Sequence, residues 1–123
     1  MRITLWVVAY GWIIVTGSMH FIVDVISQYV RGVRTPSTET TYYYGMNTAF
    51  ALGEILFGLF GLILVLRAPE LVVQWPVLTL TLAAAVLWLA FSIKFLPYKE
   101  PKFISAVFVL LVIAAIASYL LHL

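Results

Sequence analysis

The chain has no cysteine among its 123 residues, which excludes disulfides, thiolate metal ligands and thiol redox chemistry. Charge is nearly as scarce. Only 10% of the residues are Asp, Glu, Lys or Arg, against about 25% in soluble domains, and the net charge is +2. That charge is too small and too scattered for a nucleic-acid-binding surface, so no nucleic acid is expected as a partner. Apolar residues take the place of charge: 64% of the chain is hydrophobic, with a mean hydropathy of +1.10. Such a chain cannot keep a soluble surface, and its expected solvent is the lipid bilayer.

Four apolar segments, at about residues 3–26, 46–66, 75–96 and 103–123, are separated by polar breaks. Each is long enough to cross a hydrocarbon core of roughly 30 Å at 1.5 Å per residue. The breaks carry turn chemistry: Gly32 and Pro36 in "SQYVRGVRTPSTETT", then "RAPE", then "PYKEP" bracketed by Pro97 and Pro101. The expected fold is all-α, an integral membrane four-helix transmembrane bundle forming a single transmembrane domain over residues 1–123. The first segment is too long for a signal peptide and lacks a small-residue cleavage site after it, so it reads as a retained span. Basic residues set the orientation. Arg31, Arg34, Lys94, Lys99 and Lys102 lie at loops one and three, while the opposite side has only Arg2 and Arg67. This places loops one and three in the cytoplasm and both termini outside.

Within the spans, polar residues fall in stripes. On helix one, Trp12, Thr16, His20, Asp24 and Gln28 recur at intervals of four, while Leu5, Val8, Ile13, Ile22 and Val23 are expected to point elsewhere, toward lipid. On helix two, Asn47, Ala51, Glu54, Gly58, Gly61 and Val65 alternate steps of three and four. Helix three offers Thr81, Ala85, Trp88 and Ser92, and helix four offers Ala114, Ser118 and His122. Ionisable groups facing lipid are costly, so these stripes are expected to face the bundle. Counting residues from the loop-one side puts His20, Glu54 and Trp88 at a similar depth of roughly 10–12 Å, with Asp24, Asn47 and Lys94 above them. His122 lies at the other membrane face.

These positions define a candidate ligand-binding set: His20, Asp24, Glu54, Asn47, Trp88, Lys94 and Trp12. In this reading His20 and Glu54 anchor the ligand, Asp24 orients His20, and Lys94 balances charge at the mouth. Trp12, Trp88, Phe50 and Phe57 supply apolar walls, a blend suited to a quinone- or lipid-like amphiphile. Several alternatives stand beside it. One imidazole and two carboxylates, His20, Asp24 and Glu54, suit a first-row divalent metal, although no second histidine lies at that depth. Carboxylates in different surroundings with a histidine between them suit proton relay or proton-coupled transport. The glycines at Gly53, Gly58 and Gly61 equally suit a non-catalytic subunit packed against a larger membrane complex, and a bundle this small is also open to homo-oligomer formation. The bland alternative is helix registration, with His20 bonded to Glu54 and Asp24 paired with Lys94. Whether any reaction is catalysed is left open by the residues. Trp6, Trp75, Tyr98, Tyr119 and the run Tyr42–Tyr44 read as interfacial belts, with one or two of the three adjacent phenols able to line a pocket mouth.

The stretch "VTGSMHF", Val15 to Phe21, resembles the glycine–x–x–histidine–phenylalanine stretch in the first helix of DoxX-like membrane proteins. Gly17, His20 and Phe21 carry the resemblance. It implies a small four-helix bundle serving as a membrane subunit or accessory of an oxidoreductase system, with quinone-linked or redox-partner roles. It assigns nothing to Asp24 or Glu54.

Overall fold

Apolar runs set where the helices lie, and glycine, serine and proline set where they stop. The computed structural model describes residues 3–122. Helix α1 runs continuously over Thr4–Arg31, with a π-helical stretch at Ile22–Ile26. It ends at Gly32, whose positive φ of 61° lets Gly32 N–H reach Tyr29 O and Val33 N–H reach Gln28 O in a Schellman motif. Helix α2, Thr38–Arg67, starts behind Ser37, whose Oγ accepts from Thr40 N–H at 3.1 Å, with Glu39 in the first turn. A one-turn helix at Pro69–Val72 fills the next connection. Helix α3, Trp75–Phe95, has Pro76 in its first turn, and helix α4, Lys99–Leu120, follows Pro97.

The four long helices are each long and apolar enough to cross a membrane. Their outward faces are correspondingly apolar: Val15, Phe60, Ile63, Leu87, Ile93 and Leu110 are all exposed. The chain is a multi-pass, all-α membrane bundle. Its helices extend several residues beyond the apolar runs at the loop-one side, reaching Arg31 and beginning at Thr38. Of the residues in the expected spans and basic counts, Arg2 and Leu123 lie outside the described residues.

Close packing gathers around α1. A Cβ at Gly58 would fall 2.9 Å from Tyr10 O, and one at Gly61 would overlap the edge of the Tyr10 ring, so α1 and α2 meet where side chains are missing. Tyr10 continues across the bundle, its hydroxyl 2.7 Å from Thr81 Oγ1 on α3. Trp12 Nε1 donates to Ile104 O at 3.0 Å, fastening α1 to α4, and Ser92 Oγ lies 3.1 Å from Ser105 Oγ between α3 and α4. The helices thus stand in the order α2, α1, α4, α3. Among the described residues the backbones of α2 and α3 nowhere approach within 8 Å, so the bundle is open along that edge.

The buried faces of α2 (Ala51, Glu54, Gly58, Gly61, Val65) and α3 (Thr81, Ala85, Ser92) follow the sequence stripes. On α4 the face differs. Ser105, Phe108, Val112 and Ala115 are buried, whereas Ala114 and His122 are exposed. Ile13, expected toward lipid, is 1% exposed in the core beside Phe108 and Val112. Both departures have one cause: against lipid, a branched aliphatic side chain fits an interior or an exterior face equally well, and packing shape decides.

Candidate functional site

Two neighbouring features make up the candidate site. The first is a polar cluster at the loop-one end of α1 and α2. His20 Nδ1 lies 2.9 Å from Asp24 Oδ2, one turn along α1 and across the start of the π-helical stretch. On the other side of the ring, Nε2 lies 3.0 Å from Asn47 Oδ1 on α2. Asn47 is fixed by its own helix, since its Nδ2 donates to Tyr43 O at 2.8 Å. The Tyr43 hydroxyl then donates back to the backbone oxygen of Asp24 at 3.2 Å, closing the circuit. The Arg34 guanidinium lies 3.4 Å above the Tyr43 ring, and Arg34 Nε donates to Gln28 Oε1 at 3.1 Å. The His20 side chain is 13% exposed and that of Asp24 is 37% exposed, so the cluster grades from protein interior to membrane edge.

The second feature is a groove of about 690 Å³ between α2 and α3, where the two backbones stand apart. Met46, Ala49 and Phe50 form one wall, and Ala84, Leu87, Trp88 and Phe91 the other. Aromatic pairs bridge the gap. Phe50 stacks on Phe91 with ring centroids 5.6 Å apart, and Phe57 meets Trp88 edge-on at 5.4 Å. Phe50 also joins the two features, because its ring meets His20 edge-on at 5.6 Å.

Of the residues singled out in the sequence, His20, Asp24 and Asn47 are brought together. Trp88 is in the groove wall. Glu54 is only 3% exposed, yet it is hydrogen-bonded to none of the His20 cluster, and its carboxyl has no hydrogen-bond or ion-pair partner among the described residues. It lies against Gly17, where a Cβ would fall 3.1 Å from Glu54 Cβ. The expected His20–Glu54 anchor is therefore replaced by His20–Asp24–Asn47. Lys94 is exposed, its Nζ 5.8 Å from the Phe95 ring, and it forms no ion pair with Asp24. Trp12 belongs to the α1–α4 seam. Among the described residues no three His, Asp or Glu side chains gather closely enough to hold a metal, so His20, Asp24 and Glu54 do not form a ligand set. Tyr43 and Phe91 complete the site without having stood among the candidates. Tyr43 was visible only as one of three adjacent phenols, and Phe91 as one more apolar residue facing lipid or protein.

Chemically, the cluster is closed: each polar atom of His20 and Asn47 named here meets a partner inside it. The groove is apolar and open. No family model, no curated protein and no solved structure matches the chain.

Proposed function

We propose that the protein binds a quinone- or lipid-like amphiphile whose hydrocarbon part occupies the groove between α2 and α3. The observation that carries this is the absence of α2–α3 backbone packing around a space of about 690 Å³, floored by Phe50, Trp88 and Phe91. Small-molecule sites commonly enclose about 300–1,000 Å³ with mostly apolar and aromatic walls. Phe50 links this space to the His20 cluster, so a bound amphiphile would hold its polar end toward the loop-one side, where Asp24 is half open. The resemblance of Val15–Phe21 to DoxX-like proteins supports the same reading, since it too points to a quinone-linked membrane setting.

Native mass spectrometry on the gently purified protein tests the proposal, with Ala84→Phe as the groove-filled control. The expected result is one retained amphiphile on the wild-type protein, lost in the variant. A wild-type protein as bare as the variant would overturn it. A competing occupant is a helix of a larger complex, favoured by the exposed Gly45, Ala49 and Gly53, spaced by four on α2 with open space beside both glycines. In that case Ala84→Phe would release a co-purifying protein instead of a small molecule.

A further inference from the structure

Among the side chains lining the groove, only that of Trp88 carries an N–H. Its Nε1 has no hydrogen-bond partner among the described residues, whereas the same atom of Trp12 is spent on Ile104 O. Nor is it sealed away, because no unpartnered side-chain nitrogen or oxygen among the described residues is wholly buried. Trp88 lies seven residues inside the end of α3, about 10 Å along the helix, where bulk water is scarce. Backbone carbonyls at that depth are committed to their own helices, and an N–H left unpaired in hydrocarbon is costly. Because Trp88 lines the groove, an amphiphile occupying that space can bring the missing acceptor to the indole.

The indole is also held in place beforehand. Phe57 meets it edge-on at 5.4 Å, and Phe108 on α4 lies against it at 6.1 Å. A donor fixed by packing on two sides loses little freedom when an acceptor arrives. The His20 cluster cannot serve instead, since its hydrogen bonds are already made within it.

Resting on groove binding as proposed above, we infer that Trp88 recognises a carbonyl oxygen of the amphiphile, either a lipid ester or a quinone carbonyl. The indole N–H donates to that oxygen, and the hydrocarbon beyond it lies along Phe50, Phe91 and Leu87. The site accordingly selects amphiphiles with a carbonyl about 10 Å inside the loop-one surface over those with the same chain and no acceptor.

Paired probes test this on the full-length protein in ester-free detergent, with bound fractions read by native mass spectrometry. One pair is dioleoyl phosphatidylglycerol and its diether counterpart; the other is decylbenzoquinone and decylbenzene. The wild-type protein should prefer the carbonyl-bearing member of one pair by about fivefold, the factor expected from one net hydrogen bond. The pair that shows it identifies the source of the carbonyl. Trp88→Phe should erase the preference while keeping the binding of decylbenzene or the diether. Should that variant not fold, benzothienylalanine at position 88 keeps the bicyclic shape without the N–H. Equal binding within both pairs by wild type, or a preference that survives in the variant, overturns the role of Trp88 and leaves groove binding standing. Failure of every probe to bind wild type better than Ala84→Phe overturns groove binding, and this inference with it.

Discussion

His20 Nδ1 and Asp24 Oδ2 stand 2.9 Å apart, and Asn47 on the facing helix decides what lies between them. Because Asn47 Nδ2 donates to Tyr43 O, its Oδ1 is the atom turned to His20 and can only accept. Nε2 therefore carries a hydrogen. Two bare lone pairs would repel at the Nδ1–Oδ2 distance, so one proton lies in that contact, on the ring or on the carboxyl. An amide at position 24 can supply the same hydrogen from its nitrogen. Asp24→Asn should thus keep the cluster, with a loss of a few tenths of a kcal/mol, while Asp24→Ala should lose about 1 kcal/mol, within the range of interhelical and intramembrane hydrogen bonds. Thermal unfolding in detergent compares them. Equal losses for the two variants would show that the contact holds no shared hydrogen.

Glu54 offers the opposite case. It is buried to 3% exposure on the tightest helix–helix seam and has no partner for its carboxyl among the described residues. Glu54→Gln keeps the shape and removes an ionisable group without breaking a hydrogen bond. The variant should unfold at the same temperature as wild type or above it, because an unpaired buried carboxyl costs more than an amide of equal size. A loss above about 1 kcal/mol would reveal a partner that holds the carboxyl in place.

The glycines of α2 divide by what stands opposite them. A methyl at Gly61 would overlap the edge of the Tyr10 ring, while one at Gly53 meets nothing within 4 Å. Gly61→Ala should destabilise by about 1–3 kcal/mol, the usual cost of overpacking. Gly53→Ala should be neutral or stabilising by up to about 1 kcal/mol, from helix propensity alone. Gly53 is not among the residues that line the groove, so on the proposed reading Gly53→Ala should leave amphiphile retention intact.

These cases show which parts of the molecule were legible in its sequence. The core faces of α2 and α3 were, because small residues and a single acid at three–four spacing have no reason to face lipid: Ala51, Glu54, Gly58, Gly61 and Val65 are all buried. The core face of α4 was not. Phe108 and Val112 are as apolar as the residues that face outward, and Ala114 is as small as Ala115, so hydropathy carries no contrast there. Within the candidate site, residue counting gave the side of the helix that faces its neighbour but not the level at which residues meet: Glu54 is buried as expected, yet opposite Gly17 and not opposite His20. His20 stands opposite Asn47 and Phe50, so Asp24 and Asn47 reach the imidazole and Glu54, packed against Gly17 one turn away, does not. The groove was invisible to any such counting. It arises because α1 packs between α2 and α4, leaving α2 and α3 apart, and that neighbour order is a property of three-dimensional packing.

The absence of native cysteine makes orientation directly measurable. Ser37 caps α2 on one side of the bundle, and Gln74 precedes α3 on the other; both are exposed. The basic residues Arg31, Arg34, Lys94, Lys99 and Lys102 cluster on the Ser37 side, against Arg67 opposite among the described residues. The positive-inside tendency predicts a cytoplasmic Ser37 side. Single variants Ser37→Cys and Gln74→Cys, treated in intact cells with a membrane-impermeant maleimide, should label at position 74 and react at position 37 only after lysis. The reverse pattern would place the Arg34–Tyr43 stack and the half-open Asp24 on the external face. On the proposed reading, a polar end bound there would exchange with the outer leaflet, so the same labelling would also identify the leaflet that supplies the amphiphile.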